Sequence, residues 1–195
     1  MRNKRVFQIV FCAIMAAMAI ALNSIASLQI TQSIKITFYA IPLLVVGVCF
    51  GPLMGAMTGV VTGVVLQLIS PYGISLSSPF WALAPVFWGW ISGLCFKLCK
   101  KMNIYVAITI AVIAASVSAN IINTFAMIMD SLLVKDSWYT LSAIMVDWPG
   151  RILTMAVTLI PYILITGAVV ISFKKIYLDK ENEKEENIEV KEENE

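Results

Sequence analysis

Long apolar segments separated by short polar ones set the pattern of this chain. A helix that crosses a membrane needs about 20 mostly apolar residues. Six segments read as such helices, at about residues 6–28, 38–50, 52–70, 79–99, 104–129 and 150–173. The second segment is short and joins the third at Gly51-Pro52, where a proline costs little because it stands at a helix start. The pattern predicts an all-α integral membrane protein, a compact bundle of six transmembrane helices.

The composition supports a single membrane domain with a polar tail. Hydrophobic residues make up 59% and charged residues 13% of the 195 residues, and the mean hydropathy is +0.86. Soluble domains are far less apolar, so residues 1–178 are expected to form the six-helix membrane domain. Residues 179–195 hold nine of the twelve acidic residues and only three lysines. Such a segment cannot bury a core, and we expect a disordered, acidic cytoplasmic tail.

Most of the basic residues outside the tail fall on one side of the predicted bundle. Eight of the eleven precede the first segment or lie at or beyond the ends of the fourth and sixth: Arg2, Lys4, Arg5, Lys97, Lys100, Lys101, Lys174 and Lys175. Lys35, Lys135 and Arg151 fall on the other side. Because cytoplasmic loops carry the excess of Lys and Arg, both termini are predicted to be cytoplasmic in a multi-pass protein of the bacterial plasma membrane.

Small residues recur every fourth position on two segments. Gly51, Gly55, Gly59 and Gly63 do so on the third, and Ala13, Ala17 and Ala21 on the first, where Ala16 widens the patch. This spacing lets helix backbones approach closely in lipid. Packing within the protein is the interpretation we favour for the glycines. For the alanines, internal packing and docking of another protein are both open.

Candidate ligand-binding residues gather at the predicted outer ends of the segments. Polar groups inside a membrane are costly and therefore functional candidates. Aromatic walls with a few amides and charges suit a flat heterocycle with polar edges. The candidates are Lys35, Gln67, Phe80, Trp81, Asn120, Asn123, Asp147, Trp148 and Arg151. Structural alternatives exist for each kind: interhelical hydrogen bonds for the asparagines, the interfacial aromatic belt for Trp148, and an ion pair between Arg151 and Asp147.

The sequence carries no sign of a built-in energy source or of catalysis. It has no phosphate-binding loop, no carboxylate deep in a predicted helix and no nucleophile–base pair. Cys95 and Cys99 lie one helical turn apart, but two thiols without a third ligand make a poor metal site. We therefore predict a protein that is not an enzyme, uses neither cofactor nor metal, and binds no nucleic acid. An outward-facing binding subunit that depends on another protein for energy fits these features.

One stretch resembles a known family. Residues 35–59 read K-I-T-F-Y-A-I-P-L-L-V-V-G-V-C-F-G-P-L-M-G-A-M-T-G. The Ile-Pro entry to the second helix, followed by G-x-x-F-G-P-x-x-G-x-x-x-G, is similar to the substrate-binding S components of energy-coupling factor (ECF) vitamin transporters. The alanine pattern of the first helix is similar to the docking motif of that family.

The resemblance implies a function and a set of partners. It implies a six-helix vitamin-binding subunit that works with a transmembrane T component and two cytoplasmic ATPases. It also implies a vitamin held near the outer face by the outer loops and helices four to six, and a subunit that topples in the membrane to deliver it. Ala13, Ala17 and Ala21 would contact the T component.

Within that family the chain is most similar to the folate-type group. The similarity rests on F-G-P-L-M-G, S-P-Y-G at 70–73 and W-P-G-R-I at 148–152. Two departures fall in the pocket region: Leu66-Gln67 replaces the usual acidic residue, and Ser78-Pro79-Phe80-Trp81 replaces a Pro-Gly-Phe. A folate-like vitamin is the first choice. The alternatives are riboflavin, pantothenate or a thiamine precursor, a stand-alone secondary transporter of a small metabolite, and a membrane sensor that works through its tail.

Overall fold

The computed structural model consists of six helices and one short β-hairpin. It describes the backbone of residues 2–30, 34–71, 73–134 and 139–192, and the side chains of residues 5–30, 34–71, 73–134 and 139–176. The elements are α1 (Arg2–Ile25), β1 (Ser27–Gln29), β2 (Lys35–Thr37), α2 (Ala40–Phe50), α3 (Pro52–Leu68), α4 (Ser78–Leu98), α5 (Ile104–Leu133) and α6 (Leu141–Glu192). Tyr72, Lys135 and the last three residues of the predicted tail lie outside the described residues. The helices match the six predicted segments in number and order.

Two element boundaries differ from the prediction. The first apolar segment ends as helix at Ile25, because the chain then enters an antiparallel hairpin in which Leu28 pairs with Ile36. The sixth helix begins at Leu141, nine residues before the predicted start. Hydropathy missed this start because the first turns of the helix include Asp147 and the Pro149-Gly150 pair.

The acidic tail also differs from the prediction. The backbone of α6 continues as helix to Glu192, through most of the segment expected to be disordered. Glu and Lys, which have high helix propensity, make up most of this stretch. Its cytoplasmic location stays a prediction.

Four of the described helices are long and apolar enough to cross a membrane. They contain the segments Arg5–Ile25, Ser78–Leu98, Ile104–Leu133 and Leu141–Ile176. The apolar helices α2 and α3 have only 11 and 17 residues. At 1.5 Å per residue, 11 residues span roughly half of a hydrocarbon core about 30 Å thick. The structure therefore supports a membrane protein, whereas six full crossings remain a prediction.

The short helix α2 is the centre of the bundle. Nine of its eleven residues are buried, and Leu43 and Leu44 are fully enclosed. It packs against α1, α3, α4 and α6. Because an apolar helix without a polar face has no preferred side to expose, α2 takes the interior position while α1 and α6 face outward.

The glycines of α3 form a close contact with α4. A Cβ atom added at Gly55 would lie 2.3 Å from the carbonyl oxygen of Gly89, and one at Gly59 would lie 2.5 Å from that of Pro85. At Gly63 it would meet the carbonyl oxygen of the next turn of α4 at 2.4 Å. The internal-packing interpretation of these glycines is confirmed. Gly51 differs, because it has open space and a φ of 91°, so it serves the turn between α2 and α3.

The six helices alternate in direction, which brings one set of termini together. The carboxyl ends of α1, α3 and α5 and the amino ends of α2, α4 and α6 lie at the same end of the bundle as the hairpin. We call this the hairpin end of the bundle. It corresponds to the side predicted to face outward.

Candidate functional site

A large cavity opens at the hairpin end. Its volume is about 1030 Å³, and its walls come from the hairpin, from α1, α3, α4, α5 and α6, and from the loop between α3 and α4. Ligand pockets in proteins typically measure about 300–1,000 Å³. The cavity therefore has room for a ligand of the size of a vitamin, with several polar groups in its walls.

Two aromatic pairs line this cavity at different depths. Trp81 and Trp88 lie seven residues, or two turns, apart on α4, so both project from the same face. Trp81 contacts Tyr139, with 5.6 Å between ring centroids, and Trp88 contacts Tyr162 edge-on at 5.5 Å. Trp81 is partly exposed near the opening, whereas Trp88 is only 8% exposed. Together the pairs offer flat apolar surfaces to a heterocyclic ring.

A buried arginine faces the cavity from α6. Arg151 is 6% exposed, and its Nη2 donates to the Oδ1 of Asn120 at 3.1 Å and to the carbonyl oxygen of Asn120 at 3.4 Å. Its Nη1 has no hydrogen-bond partner among the described residues. A buried polar group without a partner costs free energy. Nη1 is therefore a buried donor whose hydrogen-bonding capacity is unused among the described residues.

The carboxylate at the cavity rim is already engaged. Asp130, on α5, accepts a hydrogen bond from the hydroxyl of the fully buried Ser77. The Ser77 hydroxyl also lies 2.7 Å from that of Ser75. These contacts fasten the loop between α3 and α4 to the end of α5. Among the described lining residues, Asp130 is the only carboxylate, opposite the two cations Lys35 and Arg151.

The hairpin forms a fixed wall of the cavity. The Tyr162 hydroxyl donates to the carbonyl oxygen of Thr37, which ties β2 to the middle of α6. Lys35 donates to the Oδ1 of Asn23 at 3.4 Å, and partial burial lowers the pKa of the Lys35 ammonium. This exposed contact links β2 to the end of α1.

Six of the nine sequence-predicted residues line this cavity. They are Lys35, Gln67, Trp81, Asn120, Asn123 and Arg151. The structure brings them together from β2, α3, α4, α5 and α6. Their role in binding stays a proposal.

The other three predicted residues lie outside the lining. Phe80 turns toward α5 and packs edge-on against Phe125, with 5.6 Å between ring centroids. Trp148 is 55% exposed on α6, which agrees with the interfacial-belt alternative. Asp147 precedes Arg151 by one turn of α6, nearer the end of the helix. Phe80 follows a different direction from the adjacent Trp81 because consecutive helix positions point about 100° apart. Asp147 shares the helix face of Arg151, so its position one turn nearer the helix end, and not its direction, separates it from the lining.

Sequence reasoning missed several residues of the lining. Tyr39, Tyr139, Tyr162 and Ser116 were not among the predicted site residues. For Tyr162, in the middle of an apolar helix, the sequence offered no sign of this.

The alanine surface of α1 lies apart from the cavity. Ala13, Ala17 and Ala21 are exposed. Ala16, expected to widen this patch, is buried instead, as is Ala19. One face of α1 therefore packs inward, while Ala13, Ala17 and Ala21 present small side chains to the surroundings.

Comparison with known protein families gives a match over most of the chain. Residues 3–170 match the family described as ECF-type riboflavin transporter, S component. A search of curated proteins finds no match. The matched range contains all the described lining residues of the cavity, from Asn23 to Tyr162.

Proposed function

Because the chain belongs to the family of ECF-type riboflavin transporter S components, we propose that its vitamin is riboflavin. Membership makes the chain a vitamin-binding transporter subunit and confirms the resemblance to S components. It does not confirm the folate-type group.

The observation that carries this proposal is the buried Arg151 in a cavity with aromatic walls. Its Nη2 donates to Asn120, whereas its Nη1 has no hydrogen-bond partner among the described residues. Riboflavin has a flat tricyclic ring with carbonyl oxygens along one edge and a chain of hydroxyl groups. Trp81 and Trp88 offer apolar faces to the ring, and the Nη1 of Arg151 offers a donor to a carbonyl oxygen. The polar groups at the rim, such as Ser75 and Gln67, suit the hydroxyl chain.

A folate-like vitamin is the second candidate. Folate also has a flat ring with a carbonyl group, and it carries carboxylates. The lining holds two cations, Lys35 and Arg151, and its described carboxylate Asp130 already accepts from Ser77. This charge balance tolerates an anion, so charge alone does not separate the two vitamins.

The proposal extends to topology and partners. The cavity opens at the outer face, the six helices cross the plasma membrane with both termini in the cytoplasm, and the chain assembles with a T component and two ATPases. The exposed Ala13, Ala17 and Ala21 form the docking surface for the T component. Small residues there allow a partner helix to approach closely.

A fluorescence titration tests the choice of vitamin. Purified protein, stripped of carried-over ligand, is titrated with riboflavin, folate, pantothenate, thiamine and pyridoxine while tryptophan emission is recorded. Saturable one-to-one quenching by riboflavin is expected, since the ring sits against Trp81 and Trp88. Quenching by folate and not riboflavin would replace the first vitamin with the second. A separate assay tests the alternative of a stand-alone transporter: this chain alone is reconstituted in liposomes, and vitamin uptake there would support that alternative.

A further inference from the structure

Asn120 and Arg151 connect α5 and α6 across one wall of the cavity. Both the side-chain oxygen and the carbonyl oxygen of Asn120 accept from the same nitrogen, Nη2 of Arg151. The carbonyl oxygen of Asn120 also accepts from the hydroxyl of Thr124 at 2.8 Å. Both oxygens of Asn120 therefore accept hydrogen bonds within the protein.

This arrangement fixes the orientation of the guanidinium group. The group is planar, and its donors form a rigid fork. With Nη2 held by α5, the direction of Nη1 is set. Nη1 is buried and has no partner among the described residues, and Arg151 lines the cavity.

Arg151 lines the same cavity as the two aromatic pairs, Trp81 with Tyr139 and Trp88 with Tyr162. A flat ring that stacks on these aromatic surfaces therefore shares the cavity with the guanidinium group.

We propose that Arg151 determines specificity by donating from Nη1 to a carbonyl oxygen at the edge of the ligand ring, and that Asn120 is a positioning residue that acts through Arg151. The inference rests on the proposed vitamin-binding function and deepens it. It changes the role of Asn120 from a ligand contact to a support for Arg151.

A double-mutant cycle tests this division of roles. Riboflavin affinity is measured for the wild-type protein, Asn120→Ala, Arg151→Met and the double variant. A hydrogen bond to a charged group contributes about 1.5–3 kcal/mol, so Arg151→Met should weaken binding roughly 10- to 100-fold. Asn120→Ala should weaken wild-type binding several-fold but have almost no effect once Arg151 is Met. Equal effects of Asn120→Ala in both backgrounds would overturn the positioning role.

Asn123 supplies the matched control. It lies three residues further along α5 and lines the same cavity, but Arg151 donates to Asn120 and not to it within the described residues. Asn123→Ala should therefore weaken binding by the same factor with Arg or Met at position 151. A coupling as large as that of Asn120 would show a general effect of disturbing the wall and would contradict the inference.

Two further measurements distinguish a contact with the ring carbonyl from a contact with the hydroxyl chain. Lumiflavin has the same ring without the hydroxyl chain, so its cycle should show the same coupling. Coupling with riboflavin alone would place Arg151 on the hydroxyl chain and overturn the ring-edge assignment. The absorption band of bound flavin reports hydrogen bonding at the ring carbonyls, and it should shift alike in Asn120→Ala and Arg151→Met. An unchanged band would also count against the proposal.

The design stays informative if a variant folds poorly or the vitamin differs. Arg151→Lys retains the buried charge but lacks the fork, so the Asn120 effect should be smaller in that background than with Arg. If the wild-type protein binds folate instead of riboflavin, the proposed vitamin is wrong, while the same cycle with folate still tests the pair. Binding of neither vitamin would overturn both proposals.

Discussion

Single residues set which surfaces the cavity presents, and its tryptophans illustrate how. Trp81 and Trp88 share one face of α4, yet Trp88 packs against Tyr162 in the interior while Trp81 is partly exposed beside Tyr139. Removal of Trp88 would disturb the core as well as the site. Trp81 is therefore the better position at which to test stacking.

Trp81→Ala should weaken vitamin binding roughly 2- to 10-fold, because aromatic pairing contributes about 0.5–1.5 kcal/mol beyond area burial. The measurement is a titration by calorimetry, which does not depend on tryptophan emission. Trp90→Ala is the matched control, since Trp90 lies on the same helix, is 41% exposed and does not line the cavity. An equal loss in both variants would contradict a specific contact at Trp81.

At the scale of the element, the contact between α3 and α4 holds the body of the protein together. Gly55 and Gly89 face each other so closely that a Cβ on either would collide with the backbone of the other helix. Dispersion forces and close packing, rather than exclusion of water, hold helices together in lipid. Glycine here allows the backbones to approach.

Gly59→Ala should lower the free energy of unfolding by about 1–3 kcal/mol, since its Cβ would overlap the carbonyl group of Pro85. The midpoint of thermal unfolding in detergent measures this. Gly167→Ala is the control, because a Cβ there meets no atom within 4 Å and position 167 is helical. Equal unfolding midpoints for the two variants would show that the close contact between α3 and α4 contributes little to the free energy of unfolding.

The exposed alanines of α1 belong to a different element-scale prediction. Ala17→Leu should leave vitamin affinity unchanged and abolish co-purification with the T component, because a large side chain keeps the partner helix away. Val157→Leu, at a position 58% exposed on α6, is the control and should assemble normally. Loss of vitamin binding in Ala17→Leu would mean that this face packs internally.

At the scale of the whole molecule, the membrane domain of residues 1–178 is expected to bind its ligand without help from the acidic tail of residues 179–195. The described cavity lining stops at Tyr162, and the segment after residue 178 continues α6 away from the hairpin end. The tail is therefore expected to carry no part of the binding site.

Deletion of residues 179–195 should leave vitamin affinity and thermal stability unchanged. The comparison is made by titration and by thermal unfolding of the full-length and shortened proteins. A large loss of affinity would support the alternative in which the tail is the working part. Under that alternative, vitamin uptake in cells by the shortened protein and its partners should fail as well.

Much of the element order could be predicted because apolar length and turn chemistry are local properties. The Gly51-Pro52 break, the run that becomes α4 and the start of α5 after Asn103 follow from the residues themselves, and the Asn103 side chain accepts from the amide of Tyr105. The hairpin was missed because three-residue strands are too short to show the alternation of polar and apolar residues that indicates a strand. The start of α6 was missed because polar residues interrupt its first turns.

The candidate site was predicted only in part, because a helix distributes neighbouring residues over different faces. Arg151 and Trp148 belong to one W-P-G-R-I motif, but one is buried in the cavity wall and the other is exposed. Phe80 and Trp81 are adjacent and likewise point to different neighbours. Sequence alone does not say where a helix faces when both sides are apolar.

The residues alone assign the chain to a class, a helical membrane protein whose polar groups concentrate at one end, with family signals in residues 35–59. The folded structure was needed to learn which of those groups meet. In it Asn120 accepts from Arg151, Tyr162 donates to the hairpin, and α2 lies inside. Hydropathy depends on the side chains of one segment, whereas a site depends on the rotation and depth of several helices, which are set by their packing against one another.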